Sequence, residues 1–273
     1  MYESYWQLKQ KPFENTADPR FYYPAESHQA ALLKLRYAIE NRRGAALLAG
    51  PSGAGKTLLS NMLPGILGKA FTPLVHVVFP QLSTAELLAY LADELSGDDW
   101  TGDTASVQAN IRRIEKFLAA NHEQGHHVLI AIDEAHLIDS VHTFEALRLL
   151  LNFQSDGASL LTLLLVGEPA ILPIIDRMPQ WEERLDVKCL LRPLSEAETA
   201  GYVEHRLRVA GATRSIIDAD ALPTLHALTH GIARRINRLC DLALLVGFAE
   251  ERRTLSASHF EAVCNELVTV APE

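Results

Sequence analysis

Gly50-Pro51-Ser52-Gly53-Ala54-Gly55-Lys56-Thr57 follows the apolar run Ala45–Ala49 and leads through Leu58 into a helix-forming stretch. The pattern is G-x-x-x-x-G-K-T, and its place between a strand and a helix turns a text match into a site. The glycines let the backbone curl so that several N–H groups point at one anion. The helix starting near Lys56 adds its positive N-terminal end. Lys56 is expected to reach the β- and γ-phosphates, and the Thr57 hydroxyl to sit on Mg²⁺. A bare glycine-rich turn would account for the loop, but not for the acidic strand end further along. Residues 50–58 are therefore read as the binding loop of a nucleoside triphosphate.

That acidic strand end is Val128-Leu-Ile-Ala-Ile-Asp133-Glu134-Ala-His136. Five apolar residues without alternation read as a strand buried on both faces, as in a parallel sheet. Acids at its carboxyl end sit where open α/β sheets place ligands. Asp133 is the expected partner of the Mg²⁺ shell. Glu134 is suited to accept a proton from the attacking water or to orient it. An acidic helix cap would be the plain alternative, but it leaves the pairing with Lys56 unexplained. The Asp-Glu pair favours hydrolysis over passive binding, and ATP over GTP, since no guanine-reading Asn-Lys-x-Asp follows.

The composition sets outer limits. A chain of 273 residues is long enough for one large or two modest domains, and 48% hydrophobic with 22% charged residues is ordinary for a globular protein. No apolar run approaches the roughly 18–20 residues of a membrane helix. The N-terminus lacks a basic-then-apolar leader. Cys189, Cys240 and Cys264 are scattered, which suggests neither a disulfide frame nor a zinc site. A reducing cytoplasm is expected, with any membrane association running through a partner. The net charge of −9 argues against a protein coated by nucleic acid, though a local basic patch stays open.

Strands and helices alternate after residue 27. Helical spacing runs over 27–42, and a helix follows the phosphate loop to about Leu63, ended by Pro64-Gly65. A strand is predicted at 74–79, and Ser83 with Glu86 makes a capping box for a helix to Leu95. A loop covers 97–104, and helices at 107–122 and 141–153 flank the acidic strand. Two more strands lie at 160–166 and 187–191. This alternation predicts a parallel sheet with helices on both sides. Beyond Pro193 a second capping box, Ser195 with Glu198, opens a helix to about Ala210. Helices near 218–229, 232–249 and 256–268 follow without a strand. The expected domains are an α/β nucleotide-binding unit over 1–192, including an aromatic arm over 1–27, and an all-helical lid over 193–273.

Here a resemblance becomes specific. The opening Tyr5-Trp6-x-Leu8-x-x-x-Pro12-Phe13, then Thr16-x-Asp18-Pro19-Arg20-Phe21-x-Tyr23, is similar to the N-terminal signature of AAA+ ATPases of the ExeA family, relatives of some transposition ATPases. Leu194-Ser-Glu-Ala-Glu-Thr, His205-Arg-Leu and Gly231-x-x-Arg234-x-Ile-Asn237 resemble that family's lid. The resemblance covers almost the whole chain and implies a five-stranded sheet in AAA+ order with a helical lid. It also implies ATP-bound rings or spirals in which an arginine of one subunit completes the next subunit's site. Arg184 occupies the matching region, with Arg177 as runner-up, and a surface ion pair is the plain alternative. Arg234 matches the lid arginine that senses nucleotide. Glu168 departs from the family pattern, which carries Gln at the sensor position. It is expected to orient water, to contact another residue, or to slow turnover.

Seven of the nineteen aromatic residues fall within the first 23 positions. Such an arm is expected to be pinned by burial, with packing on the nucleotide-binding domain favoured over docking on a neighbouring subunit. His122-Glu123-Gln-Gly125-His126 spells H-E-x-x-H, but Gly125 is expected to end the helix between the histidines, so a zinc site is not expected. Asp-Glu-Ala-His136 alone does not make a helicase, because the accompanying motifs are missing. The arginine pairs at 42–43, 112–113 and 252–253, with Arg234, Arg235 and Arg238, would suit a DNA groove or plain surface ion pairs.

The resemblance implies an energy-transducing ATPase that assists assembly of a secretion or pilus machine with an unidentified protein partner. Two alternatives remain: an ATP-dependent DNA-binding regulator of transposition type, and a nucleotide-controlled scaffold with little hydrolysis. ExeA-type proteins often continue into a membrane span and a periplasmic peptidoglycan-binding domain. These 273 residues carry neither, so anchoring and cell-wall roles are not carried over.

Overall fold

The structure, a computed structural model, describes residues 1–97, 106–155 and 157–269. From residue 98 onward, the loop expected over 97–104 lies outside the described residues. In chain order the main elements are α1 (Glu26–Glu40), β1 (Ala45–Ala49), α2 (Lys56–Ile66), β2 (Leu74–Val77), α3 (Thr84–Ser96), α4 (Val107–Glu123), β3 (Val128–Ile132), α5 (Val141–Leu150), β4 (Leu161–Gly167) and β5 (Leu185–Leu190). Then come α6 (Glu196–Val209), α7 (Ala221–Thr229), α8 (Ala233–Ala249) and α9 (Ala257–Thr269).

The five strands form one sheet in the order β2-β3-β4-β1-β5, and every pair is parallel. The three central strands β3, β4 and β1 are buried at every residue, as their unbroken apolar runs require. The edge strands β2 and β5 bury only part of their residues. The core of this part gathers Leu47, Ile130, Leu163, Leu91, Phe144 and Trp181. Both expected capping boxes are present, Ser83 with Glu86 and Ser195 with Glu198, each closing a helix start with reciprocal bonds.

Some boundaries differ. α2 runs through Pro64 to Ile66 instead of ending at Leu63. Pro64 lies on the exposed side in the last turn, so its ring interrupts the ladder only where the helix is about to end. Helical turns over Ile171–Asp176 and Pro179–Glu182, and a small hairpin pairing Gln154–Ser155 with Ala158–Ser159, are too short to show a period in sequence.

The chain divides into two compact units, one of residues 27–50 and 59–191, the other of 1–26, 51–58 and 192–273. The expectation that the aromatic arm packs on the nucleotide-binding domain is corrected by this division. Tyr2, Trp6, Leu8, Phe13 and Phe21 lie in one core with Tyr202, Leu207, Leu239, Leu244 and Phe260 of the C-terminal helices. Trp6 is fully buried and its indole N–H donates to the Leu244 carbonyl at 2.9 Å. Arg206, itself buried, donates to the carbonyls of Pro12 at 2.5 Å and Glu14 at 2.9 Å and stacks 4.6 Å over the Phe21 ring. The reason is physical: four short helices expose more apolar face than they can cover among themselves, and the arm supplies the missing aromatic layer.

Candidate active site

The phosphate loop leaves the carboxyl end of β1 at Gly50. A Cβ on Gly50 would stand 2.8 Å from that of Leu191, so only glycine fits there. Gly50 also donates its N–H to Gly167 at 3.1 Å, tying the loop's root to the end of β4. Gly53 and Gly55 then take φ of +76° and +98°, a region L side chains avoid, and this curls the segment between Pro51 and Lys56. Ala54 closes a turn onto the Pro51 carbonyl at 3.2 Å. Lys56 opens α2, is 5% exposed, and turns its ammonium onto the Pro51 carbonyl at 3.2 Å. Thr57 is exposed in the first helical turn, Ser52 is exposed at the loop crest and Leu58 is half-buried behind it.

Arg234 meets this loop directly. Its N–H donates to the Gly53 carbonyl at 3.1 Å, and Ile232 packs 3.3 Å from where a Gly53 Cβ would lie. Arg234 stands in the first turn of α8 with its side chain exposed. Gly231, with φ +69°, is required because a Cβ there would strike the Leu194 carbonyl at 2.0 Å.

The acidic residues cluster at the carboxyl edge of the sheet. Asp133 directly follows β3, is 6% exposed, and accepts the Glu134 N–H at 2.9 Å. The His76 imidazole of β2 lies 3.7 Å from its other oxygen. Glu134 adopts φ +49°, an uncommon setting for a non-glycine residue that marks the turn into the 3-10 helix Ala135–Leu137. Glu168 follows the adjacent strand β4 and donates its N–H to His136 Nδ1 at 3.2 Å, while Glu134 Oε2 lies 3.4 Å from the same nitrogen. In sequence His136 stands only as the end of a helicase-like Asp-Glu-Ala-His whose accompanying motifs are missing, which gives it no place in the site. The close approach of Gly167 to it, with a notional Cβ 3.3 Å from both His136 N and Nδ1, exists only in three dimensions.

Arg184 is not part of this cluster. It precedes β5, and since all strands are parallel it stands at the opposite edge of the sheet, roughly 20 Å from the acids by strand length. Its guanidinium donates to Asn152 Oδ1 at 3.0 Å. Arg177 is exposed at the end of Ile171–Asp176. α4 ends at Glu123 and Gly125 has φ +81°, so His122 and His126 do not share a helix face. Several arginines considered for DNA have acidic neighbours: Arg113 is buried 2.8 Å from Asp93, Arg43 lies 3.8 Å from Asp186, and Arg252 lies 2.9 Å from Glu250. Among the described residues no helix is long and apolar enough to cross a membrane.

A parallel five-stranded sheet of this order, with a glycine-rich loop after its β1 strand and acids after its β3 strand, defines a P-loop ATPase of the AAA+ class. The chain belongs to that family: the AAA domain model matches residues 39–175. It is 35% identical over 253 residues to general secretion pathway protein A of Aeromonas hydrophila, which covers 91% of this chain and 45% of that protein. The chain thus spans about half the length of this relative. Among solved structures, the Aeropyrum pernix ORC2 protein, in its ADPNP–ADP complexes, superposes with a TM-score of 0.68 at 17% identity, over 97% of this chain and 73% of that one. The Thermotoga maritima RuvB Holliday junction branch migration motor superposes with 0.62 at 17% identity, over 94% and 74%. At such identities these two speak for the fold alone.

Proposed function

We propose that this chain binds ATP with Mg²⁺ and hydrolyses it, working as an α/β nucleotide-binding domain with a helical lid over 193–273. The observation that carries the reading is the curled loop of residues 50–57 ending on the buried Lys56. Positive φ at two glycines turns backbone N–H groups inward, and α2 places a cation and its own N-terminus at one point. These residues fit a polyphosphate. The Thr57 hydroxyl and the Asp133 carboxylate are hard oxygen donors of the kind Mg²⁺ takes, and that ion would neutralise charge on the phosphates.

The protein's own groups then divide the work. Residues Gly50 to Leu58 bind and orient the triphosphate, Lys56 offsets its charge, and Arg234 faces the loop from the lid. Glu134 takes the proton of the attacking water or holds that water in line. Glu168 lies beside it and fixes His136. Arg184, at the far edge of the sheet, serves the site of the next subunit in a ring or spiral that forms with ATP. The family resemblance and the named relative support a role in assembling a secretion or pilus machine through a protein partner.

Lys56→Ala is expected to abolish ATP binding in an equilibrium titration. Glu134→Gln should keep binding and lose phosphate release. Undiminished ATP affinity in a folded Lys56→Ala protein would refute the reading. Three exposed arginines on the first turns of α8, Arg234, Arg235 and Arg238, favour a second reading, ATP-controlled DNA binding. A steep salt dependence of duplex binding, stimulated by ATP, would support it.

A further inference from the structure

We infer that Glu134, His136 and Glu168 form a second divalent-cation site, one that takes a nitrogen-seeking transition metal, zinc in the first instance, instead of magnesium. One imidazole nitrogen and two carboxylate oxygens converge here within 4.8 Å of one another. Tetrahedral zinc ligands at about 2.1 Å stand roughly 3.4 Å apart. Glu134 Oε2 and His136 Nδ1 already have that 3.4 Å separation, and a Glu168 carboxylate oxygen lies within 4.8 Å of both.

The donor set of the cluster suits a cation. His136 Nδ1 accepts the Glu168 N–H at 3.2 Å, so in this arrangement that nitrogen presents its lone pair. A carboxylate oxygen of Glu134 lies 3.4 Å from the same nitrogen, and one of Glu168 lies within 4.8 Å of both. Three potential ligand atoms are thus gathered in one small volume, where a metal ion can be coordinated by all of them. It would take over the lone pair now held by a long hydrogen bond.

Two backbone features bring the ligands together. Glu134 turns at φ +49°, and Gly167 lets the end of β4 close on the imidazole. The His136 side chain is 13% exposed and that of Glu134 42%, which leaves one open side for metal entry and for a water as fourth ligand. Magnesium, which prefers six oxygens and sheds water reluctantly, suits the Thr57 and Asp133 oxygens better than a histidine. Neither of those residues belongs to this set.

The consequence rests on the hydrolysis reading: zinc held by Glu134 withdraws that carboxylate from water, so zinc should inhibit turnover while ATP binding persists. The site itself is tested without nucleotide. The full chain is titrated with zinc against a chromophoric chelator. One zinc per chain at micromolar affinity is expected. His136→Ala and Glu168→Gln should each weaken it about tenfold or more, whereas His126→Ala and Cys264→Ser should leave it unchanged. No zinc bound by the wild-type protein, or equal affinity in both the His136→Ala and Glu168→Gln proteins, would overturn the site. Because this readout needs no ATP, it stands or falls separately from hydrolysis. A chain that binds zinc but never turns over ATP would remove only the inhibitory consequence.

Discussion

The Arg234 N–H donates to the Gly53 carbonyl at 3.1 Å, and a Cβ on Gly53 would lie only 2.6 Å from that of Arg234. The first turn of α8 therefore rests on the crest of the phosphate loop with no room between. Any side chain at residue 53 must both adopt φ +76° and displace Arg234.

Gly53→Ala should cost about 1–3 kcal/mol from backbone strain alone. It should weaken ATP by at least tenfold, because the loop can no longer hold its curl. Thermal unfolding with and without ATP checks both effects. Equal melting temperatures in wild type and variant, and an equal shift on adding ATP, would show that the contact is dispensable.

The fold was legible because its signals are local. The three central strands announce themselves as runs buried at every residue, and Ser83 with Glu86 and Ser195 with Glu198 mark helix starts within four residues. The glycine spacing and Lys56 could likewise be read in one stretch. What escaped was set by distant pairing. The arm's place among the C-terminal helices depends on contacts such as Trp6 with Leu244 and Arg206 with Pro12, separated by about two hundred residues and invisible to periodicity. The role of His136 depends on Gly167, at the end of the neighbouring strand.

Trp6→Ala should destabilise the protein by about 3–5 kcal/mol, the usual cost of emptying a fully buried aromatic site. Trp6→Phe keeps most of the volume and loses only the indole bond, since the Leu244 carbonyl lies inside α8 and keeps its helical donor, a loss of about 0.5–1.5 kcal/mol. Urea denaturation resolves the two. Deleting residues 1–23 should likewise give insoluble or unfolded protein. A soluble monomer that merely fails to assemble would instead assign the arm to subunit contacts.

Arg184→Ala should leave ATP affinity unchanged and abolish the hydrolysis that depends on oligomer formation. Its guanidinium donates to Asn152 at the exposed surface, so truncation should cost little stability. Phosphate release measured across protein concentration separates the cases. Full activity at high concentration would reject the trans role and turn attention to Arg177.

His127 makes stability depend on pH. It is fully buried, and burial, helped by the charges of Arg42 and His122, depresses its pKa from 6.5 to about 4. Nε2 lies 2.9 Å from Thr162 Oγ1, and that hydroxyl donates onward to the Arg43 carbonyl at 2.7 Å, so the ring donates from Nε2. Nδ1 is buried without a hydrogen-bond partner, and a proton placed there would have no acceptor. Between pH 6.5 and about 4 the unfolded chain therefore takes up a proton that the folded chain refuses. Stability must fall as pH falls through that window, and above it the residue contributes no slope. His127→Gln, which can still donate to Thr162, should lose about 3 kcal/mol less than the wild type between pH 7 and pH 4. Parallel denaturation curves at the two pH values measure the difference, and identical losses in both proteins would show that His127 accepts its proton in the folded state.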